Sequence, residues 1–158
     1  MYAAALQHWV KRVKNPSEMA VAIDEETELG LQCDDLRDVD CLAQAGLYFK
    51  RKMKGELKTE TLADWWNGNR KSYPNTSLHL PNEPRTVLLP QGNETGSNLS
   101  QWAFVVQLSK VGFNKAQDQA LVYIGNHRGL LNGEGLLYLV ERKQNKWRVT
   151  RVVMLWIS

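Results

Sequence analysis

Cysteine is scarce in this chain of 158 residues, which holds only Cys33 and Cys41. On one helix the two would lie about 12 Å apart, at ~1.5 Å per residue, too far to bridge. Two free thiols is the simpler reading, and a bridge stays open if Cys33 precedes the helix. No staple is required, since a chain of this length buries roughly 70% of its unfolded surface. With His8, His79 and His127 the cysteines show no zinc-ligand spacing. No apolar run approaches the ~20 residues of a membrane-spanning helix, so no membrane insertion is expected. An excess of one charge is also missing. The net charge is +3, too little to indicate nucleic acid. The basic cluster Lys50-Arg51-Lys52-Met53-Lys54, beside Tyr48 and Phe49, is diluted by Glu56 and Glu60 and reads as a solvated helix end.

The sequence contains no Gly-x-Ser-x-Gly, phosphate loop, dinucleotide fingerprint or catalytic Cys–His context. No cofactor is implied. Asp34, Asp35, Asp38 and Asp40 miss the calcium-loop pattern, which needs a central glycine and a terminal glutamate. They read as a favourable helix start. A signal peptide is not visible, because Met1–Leu6 is soon followed by His8, Lys11 and Arg12. An export signal lost from the front of the chain leaves an extracytoplasmic setting open, with a cytoplasmic one as the alternative.

What is present is a β-rich last third. Trp102–Phe113, Gln119–Asn126, Glu134–Lys143 and Lys146–Ile157 read as an antiparallel meander. The last two runs are separated only by Gln144-Asn145, which fits a two-residue turn. That register sets Arg142 opposite Trp147, Glu141 opposite Arg148, Val140 opposite Val149, Leu137 opposite Val152 and Leu136 opposite Val153. It also puts Arg151 on one face with Trp147, Val149 and Val153. From Val152 to Ile157 both faces are apolar, and Trp102–Phe113 also looks two-sided, so the sheet needs apolar cover.

That cover is expected from the first half. Tyr2–Lys14 is amphipathic and ends at Asn15-Pro16. Met19–Ile23 suggests a short strand, followed by a solvated acidic turn at Asp24, Glu25, Glu26 and Glu28. A helix from about Asp35 to Lys54 buries Leu36, Val39, Ala43, Gly46/Leu47 and Met53, and Gly55 stops it. A shorter helix begins near Thr59 to Thr61, where Thr61-Leu62-Ala63-Asp64 resembles a capping box. Four prolines then punctuate an irregular region with edge-type strands at Ser77–Leu80 and Arg85–Leu89. The formal glycosylation acceptors Asn75, Asn93 and Asn98 fit loop composition. The sum is a single α+β domain over 1–158, with N-terminal helices on one face of a curved antiparallel sheet ending in a C-terminal β-meander. A mainly β barrel with helical decoration is the alternative.

The segments Ser109-Lys110-Val111-Gly112-Phe113-Asn114, Ala120-Leu121-Val122-Tyr123-Ile124-Gly125, Gly133-Glu134-Gly135-Leu136-Leu137-Tyr138-Leu139, Lys146-Trp147-Arg148-Val149 and Trp156-Ile157-Ser158 resemble, in order and spacing, a pattern in uncharacterised and often exported bacterial proteins. That resemblance implies no activity. More loosely, helices followed by a meander with a Lys-Trp-x-Val hairpin resemble the nuclear-transport-factor-2-like cone-shaped α+β fold. That fold hosts enzymes, binding modules and dimerisation domains.

Few side chains are left over for function. His127 and Arg128, in a loop Gly125-Asn126-His127-Arg128-Gly129, offer an acid/base and an anion clamp, or simply a polar turn. Trp65 and Trp66 are adjacent on a short helix, so one of them is an interface candidate, unless each fills a separate part of the core. Arg151 is out of place on an apolar face unless paired. It suggests a pocket with Tyr123, Tyr138 and either Asp24 or His127; a snorkelling Arg151 at the rim is the plainer account. The expectation is a non-enzymatic binding or protein-interaction module, of inhibitor or immunity type, whose partner is a protein, a small ligand or a second copy. The alternative is a small enzyme with its pocket near Arg151 and Tyr138.

Overall fold

A computed structural model describes residues 2–12, 20–27, 39–70, 85–89, 104–127 and 132–158. Among these are three helices, α1 (Tyr2–Val10), α2 (Val39–Lys52) and α3 (Thr59–Gly68). Seven strands accompany them: β1 (Ala20–Thr27), β2 (Arg85–Leu89), β3 (Phe104–Leu108), β4 (Gly112–Phe113), β5 (Gln119–His127), β6 (Gly133–Lys143) and β7 (Lys146–Ile157). They form one sheet in the order β2-β1-β3-β5-β6-β7, with β4 also paired to β5. The five strands β3 to β7 are antiparallel, as the meander pattern predicts. The protein is thus α+β, with N-terminal helices packed on the sheet. On the far side β1 runs parallel to both β2 and β3. Parallel pairing needs a long crossover, and α2 and α3 lie in the one between β1 and β2.

The helices take both faces rather than one. On the first, Ala5, Leu6 and Trp9 of α1 pack with Val106, Leu108, Ala120, Val122, Ile124, Leu136, Tyr138 and Val140. On the second, Phe49, Met53, Leu57 and Trp65 pack with Leu121, Tyr123, Leu137, Leu139 and Val153. Successive strand residues point to opposite faces. A central strand such as β5 is therefore apolar throughout, and it is buried from Gln119 to Asn126. Its two apolar faces require two covers.

α2 reaches the core through half-buried Ala45 and buried Phe49, and Met53, just past its end, is buried as expected. Leu47, expected inside, is 71% exposed, and Phe49, expected beside a solvated basic end, is core. The helix is rotated from the expected face. At α3 the capping-box expectation also fails. The N-cap is Lys58, which places Thr61 inside the helix with its hydroxyl donating to Gln119 Oε1 at 2.9 Å. Asp64 accepts the Phe113 N–H instead (2.8 Å). The cap comes from β5: the Lys58 N–H donates to Gln119 Oε1 at 2.8 Å. The acids Asp24 to Glu26 continue β1 in backbone conformation rather than forming a turn.

The expected strand Trp102–Phe113 is interrupted. Its halves β3 and β4 lie along the same edge of β5, against Ile124–His127 and Ala120–Leu121 respectively. At the break the Ser109 hydroxyl stands in for a ladder carbonyl, accepting the Tyr123 N–H and the Trp65 indole N–H, each at 2.8 Å. It donates in turn to the Lys110 carbonyl (3.0 Å). Gly112 follows because a methyl there would run into the Trp65 backbone.

The last hairpin turns at Gln144 and Asn145, whose φ values of 51° and 63° match the two positive angles of a type I′ turn. Lys143↔Lys146, Arg142↔Trp147, Glu141↔Arg148 and Val140↔Val149 pair as expected. The Arg142 guanidinium lies over the Trp147 ring, 5.8 Å from its centroid. The Glu141 carboxylate, however, binds Lys143 (3.3 Å) and Gln119 (3.3 Å). Beyond Val149 the register moves by one at a bulge between Leu139 and Val140, and again between Gly135 and Leu136. Leu137 therefore meets Val153, Leu136 meets Met154 and Tyr138 meets Val152, each one residue away from the expected pairing. The first bulge leaves Thr150 as the extra residue. It puts Arg151 opposite Leu139, on the α2–α3 face and away from Trp147 and Val149.

Candidate functional site

One end of the α2–α3 face carries an aromatic ledge. Gly125 pairs with Gly135, His127 with Gly133, and Gly135 with Trp156 across the next ladder. Trp156 lies on the backbone of Gly135 and Gly133, because a Cβ at either position would meet its ring. A Cβ at Gly125 would likewise strike the Tyr123 hydroxyl. That hydroxyl accepts the Trp156 indole N–H (3.0 Å). His127 stacks on Trp156, with ring centroids 5.1 Å apart and 27° between the planes. His127 Nε2 lies within hydrogen-bond reach of Gln107 Oε1, at 3.2 Å. Tyr123 is buried, whereas Trp156, His127 and Gln107 are half-buried. His127 ends β5 rather than sitting in a loop, since its backbone pairs with Gly133.

Tyr138 faces the other way, into the α1 layer. It is 0% exposed, and among the described residues no group makes a hydrogen bond of normal geometry to its buried hydroxyl. The His8 ring meets it edge-on with centroids 5.8 Å apart. In the turn just past α1, Arg12 Nη2 lies 3.4 Å from Glu134 Oε2. The same carboxylate accepts a long bond from Asn126 Nδ2 (3.4 Å). Burial pushes the Tyr138 phenol far above its ordinary value, against an opposing pull from the Arg12 guanidinium. Burial, with Arg12 and Lys11 nearby, lowers the His8 imidazole. Both shifts favour the neutral form.

Arg151 sits at the rim. One guanidinium nitrogen donates to the Glu56 carboxylate in the α2–α3 connection, and another donates to the Thr150 carbonyl (3.1 Å). Both side chains of the pair are 38% exposed, where an ion pair contributes ~1 kcal/mol or less. Arg151 and Tyr138 therefore lie on opposite faces and share no pocket, while Tyr123 and His127 do come together. Arg128 and Cys33 lie outside the described residues, as do the Asp24 and Cys41 side chains, the Ser77–Leu80 strand, Trp102 and the acceptors Asn75, Asn93 and Asn98. Of the tryptophan pair, Trp65 is fully buried, with its indole on Ser109 and its ring centroid 6.1 Å from that of Phe49. Trp66 is half-buried beside it.

Nothing in the local sequence marks Trp156, Gln107, His8, Arg12 or Glu134 as site residues. Trp156 looked like one more apolar residue in a two-sided run. The glycines two residues apart at 133 and 135, in an otherwise bulky strand, are the signal that a ring must lie close to the backbone. No protein-family model, curated protein or solved structure matches the chain.

Proposed function

We propose that the protein is a non-enzymatic binding module that holds the flat apolar face of a ligand or protein segment against Trp156, with His127 and Gln107 at its polar edge. The observation that carries this reading is the pinned and half-buried Trp156. Glycines clear the backbone beneath it, Tyr123 fixes its indole N–H, and His127 braces one side. A large aromatic surface held rigid in advance costs little entropy on binding. The division of Tyr138 from Arg151 by the sheet weighs against the enzyme alternative.

The test is a titration of the Trp156 indole N–H resonance, assigned with Trp156→Phe, against a panel of oligosaccharides and aromatic-containing peptides. At least one class is expected to shift that resonance saturably, with binding about tenfold weaker or more in Gly135→Ala, where a methyl displaces the ring. A panel that leaves the resonance in place, or binds Gly135→Ala equally well, overturns the reading.

A further inference from the structure

A second site lies on the opposite face, independent of the ledge. Tyr138 presents a buried hydroxyl whose O–H finds no acceptor among the described residues; the Arg12 guanidinium that bears on its oxygen is a donor only, and an orphan O–H costs about 1–3 kcal/mol unless a partner arrives. Charges stand beside it. The Arg12 guanidinium and the Glu134 carboxylate are the two that act on the phenol. They meet each other at 3.4 Å, a long distance for a charge-assisted bond. Arg12 is 40% exposed and its pair with Glu134 is weak, so the guanidinium can turn to an incoming group without a large penalty. Glu134 already shows what chemistry Arg12 accepts, a carboxylate. His8 closes one side of the phenol with its ring edge.

The same face continues as exposed apolar surface. Met154, opposite Leu136, is 44% exposed, and Ile157, opposite Glu134, is 71% exposed. A hydroxyl donor, a loosely paired guanidinium and an adjoining apolar strip together match a carboxylate that carries an aliphatic tail. A phosphate dianion fits less well, because Glu134 remains beside the site and repels a second negative charge.

We infer that Tyr138 and Arg12 bind the carboxylate of an aliphatic acid whose tail lies along Met154 and Ile157. The Tyr138 O–H donates to one carboxylate oxygen, Arg12 leaves Glu134 to hold the other, and no covalent step is involved.

Octanoate is the probe, with acetate, octanamide and octyl phosphate as comparisons, followed by calorimetry and by chemical shifts of Tyr138 and its neighbours. Octanoate is expected to bind more tightly than acetate and octyl phosphate, and octanamide not to bind detectably. Tyr138→Phe keeps the shape of the ring and removes only an unsatisfied group, so its melting temperature should equal or exceed that of the parent. Octanoate binding should nevertheless fall about tenfold or more, and Arg12→Gln should do the same. Octanoate that fails to bind, or that binds Tyr138→Phe as well as the parent, overturns the site. Octyl phosphate binding more tightly than octanoate overturns its assignment to carboxylates.

Discussion

Ser109 shows how much one small polar side chain can organise. Its hydroxyl uses its whole capacity, accepting from Trp65 and Tyr123 and donating to the Lys110 carbonyl. It thereby ties α3, β5 and the β3–β4 break together. Ser109→Ala strands two buried N–H donors and is expected to cost about 3 kcal/mol, read as a lower midpoint in urea unfolding with an unchanged slope. A loss under 1 kcal/mol would show that water or backbone takes over the role. Little of this was legible in the sequence, where Ser109 stood as a polar residue between apolar faces. Its partners come from segments distant in sequence, and no local pattern encodes them. Arg142 over Trp147 was legible, because a two-residue turn fixes the pairing of the residues nearest to it. The rotation of α2, which buries Phe49 and exposes Leu47, was not. Adjacent apolar residues in Leu47-Tyr48-Phe49 fit more than one stripe, and packing against Trp65 decides between them.

At the level of elements, β7 carries the most information. The hairpin register held near the turn and failed past Val149, because a bulge adds a residue without any change of composition to announce it. Thr150 marks the place only by its hydroxyl, which donates to the Leu139 carbonyl at 3.4 Å. This geometry predicts an asymmetry between two single deletions. Removing Thr150 regularises the ladder and keeps Arg151 opposite Leu139, so the protein should stay folded with a cost near 1 kcal/mol. Removing Val152 moves Val153 to the wrong face and should abolish the native spectrum. Equal tolerance of the two, seen by melting curves and amide spectra, would contradict the bulge assignment. The ledge depends on the same strand, since the second bulge sets Trp156 over Gly135. This explains why Tyr123 and His127 could be named from sequence whereas their central partner could not.

Among the described residues, few groups couple the stability of the whole molecule to pH. His8, lowered by burial and then by Arg12 and Lys11, favours its neutral form in the fold. As pH falls, the unfolded chain takes up this proton first. Stability is therefore full above the ordinary imidazole value of 6.5 and declines just below it. Asp118 is held low by bonds from Lys58 (2.6 Å) and Asn114 (2.7 Å). Its contribution persists through that range and is lost only at and below the ordinary carboxylate value. At the alkaline end, burial pushes the Tyr2 phenol up to about 12. The unfolded phenol then ionises first, and stability declines above pH 10. Melting temperature against pH should thus show a step near pH 6 that His8→Gln removes and Asp118→Asn leaves in place. A step unchanged in His8→Gln would assign it elsewhere. The α+β class and the antiparallel meander were legible because they rest on periodicity, a property of short segments. The placement of helices on both faces and the parallel β1–β2–β3 side were not, because they depend on crossovers. Those crossovers also impose an order in time. Ala20 pairs with Arg85 and Val21 with Phe104, so during synthesis β1 leaves the ribosome long before either neighbour exists. Its Ala-Val-Ala-Ile backbone must stay unpaired, a ready template for foreign strands, until more than half of the chain has been made.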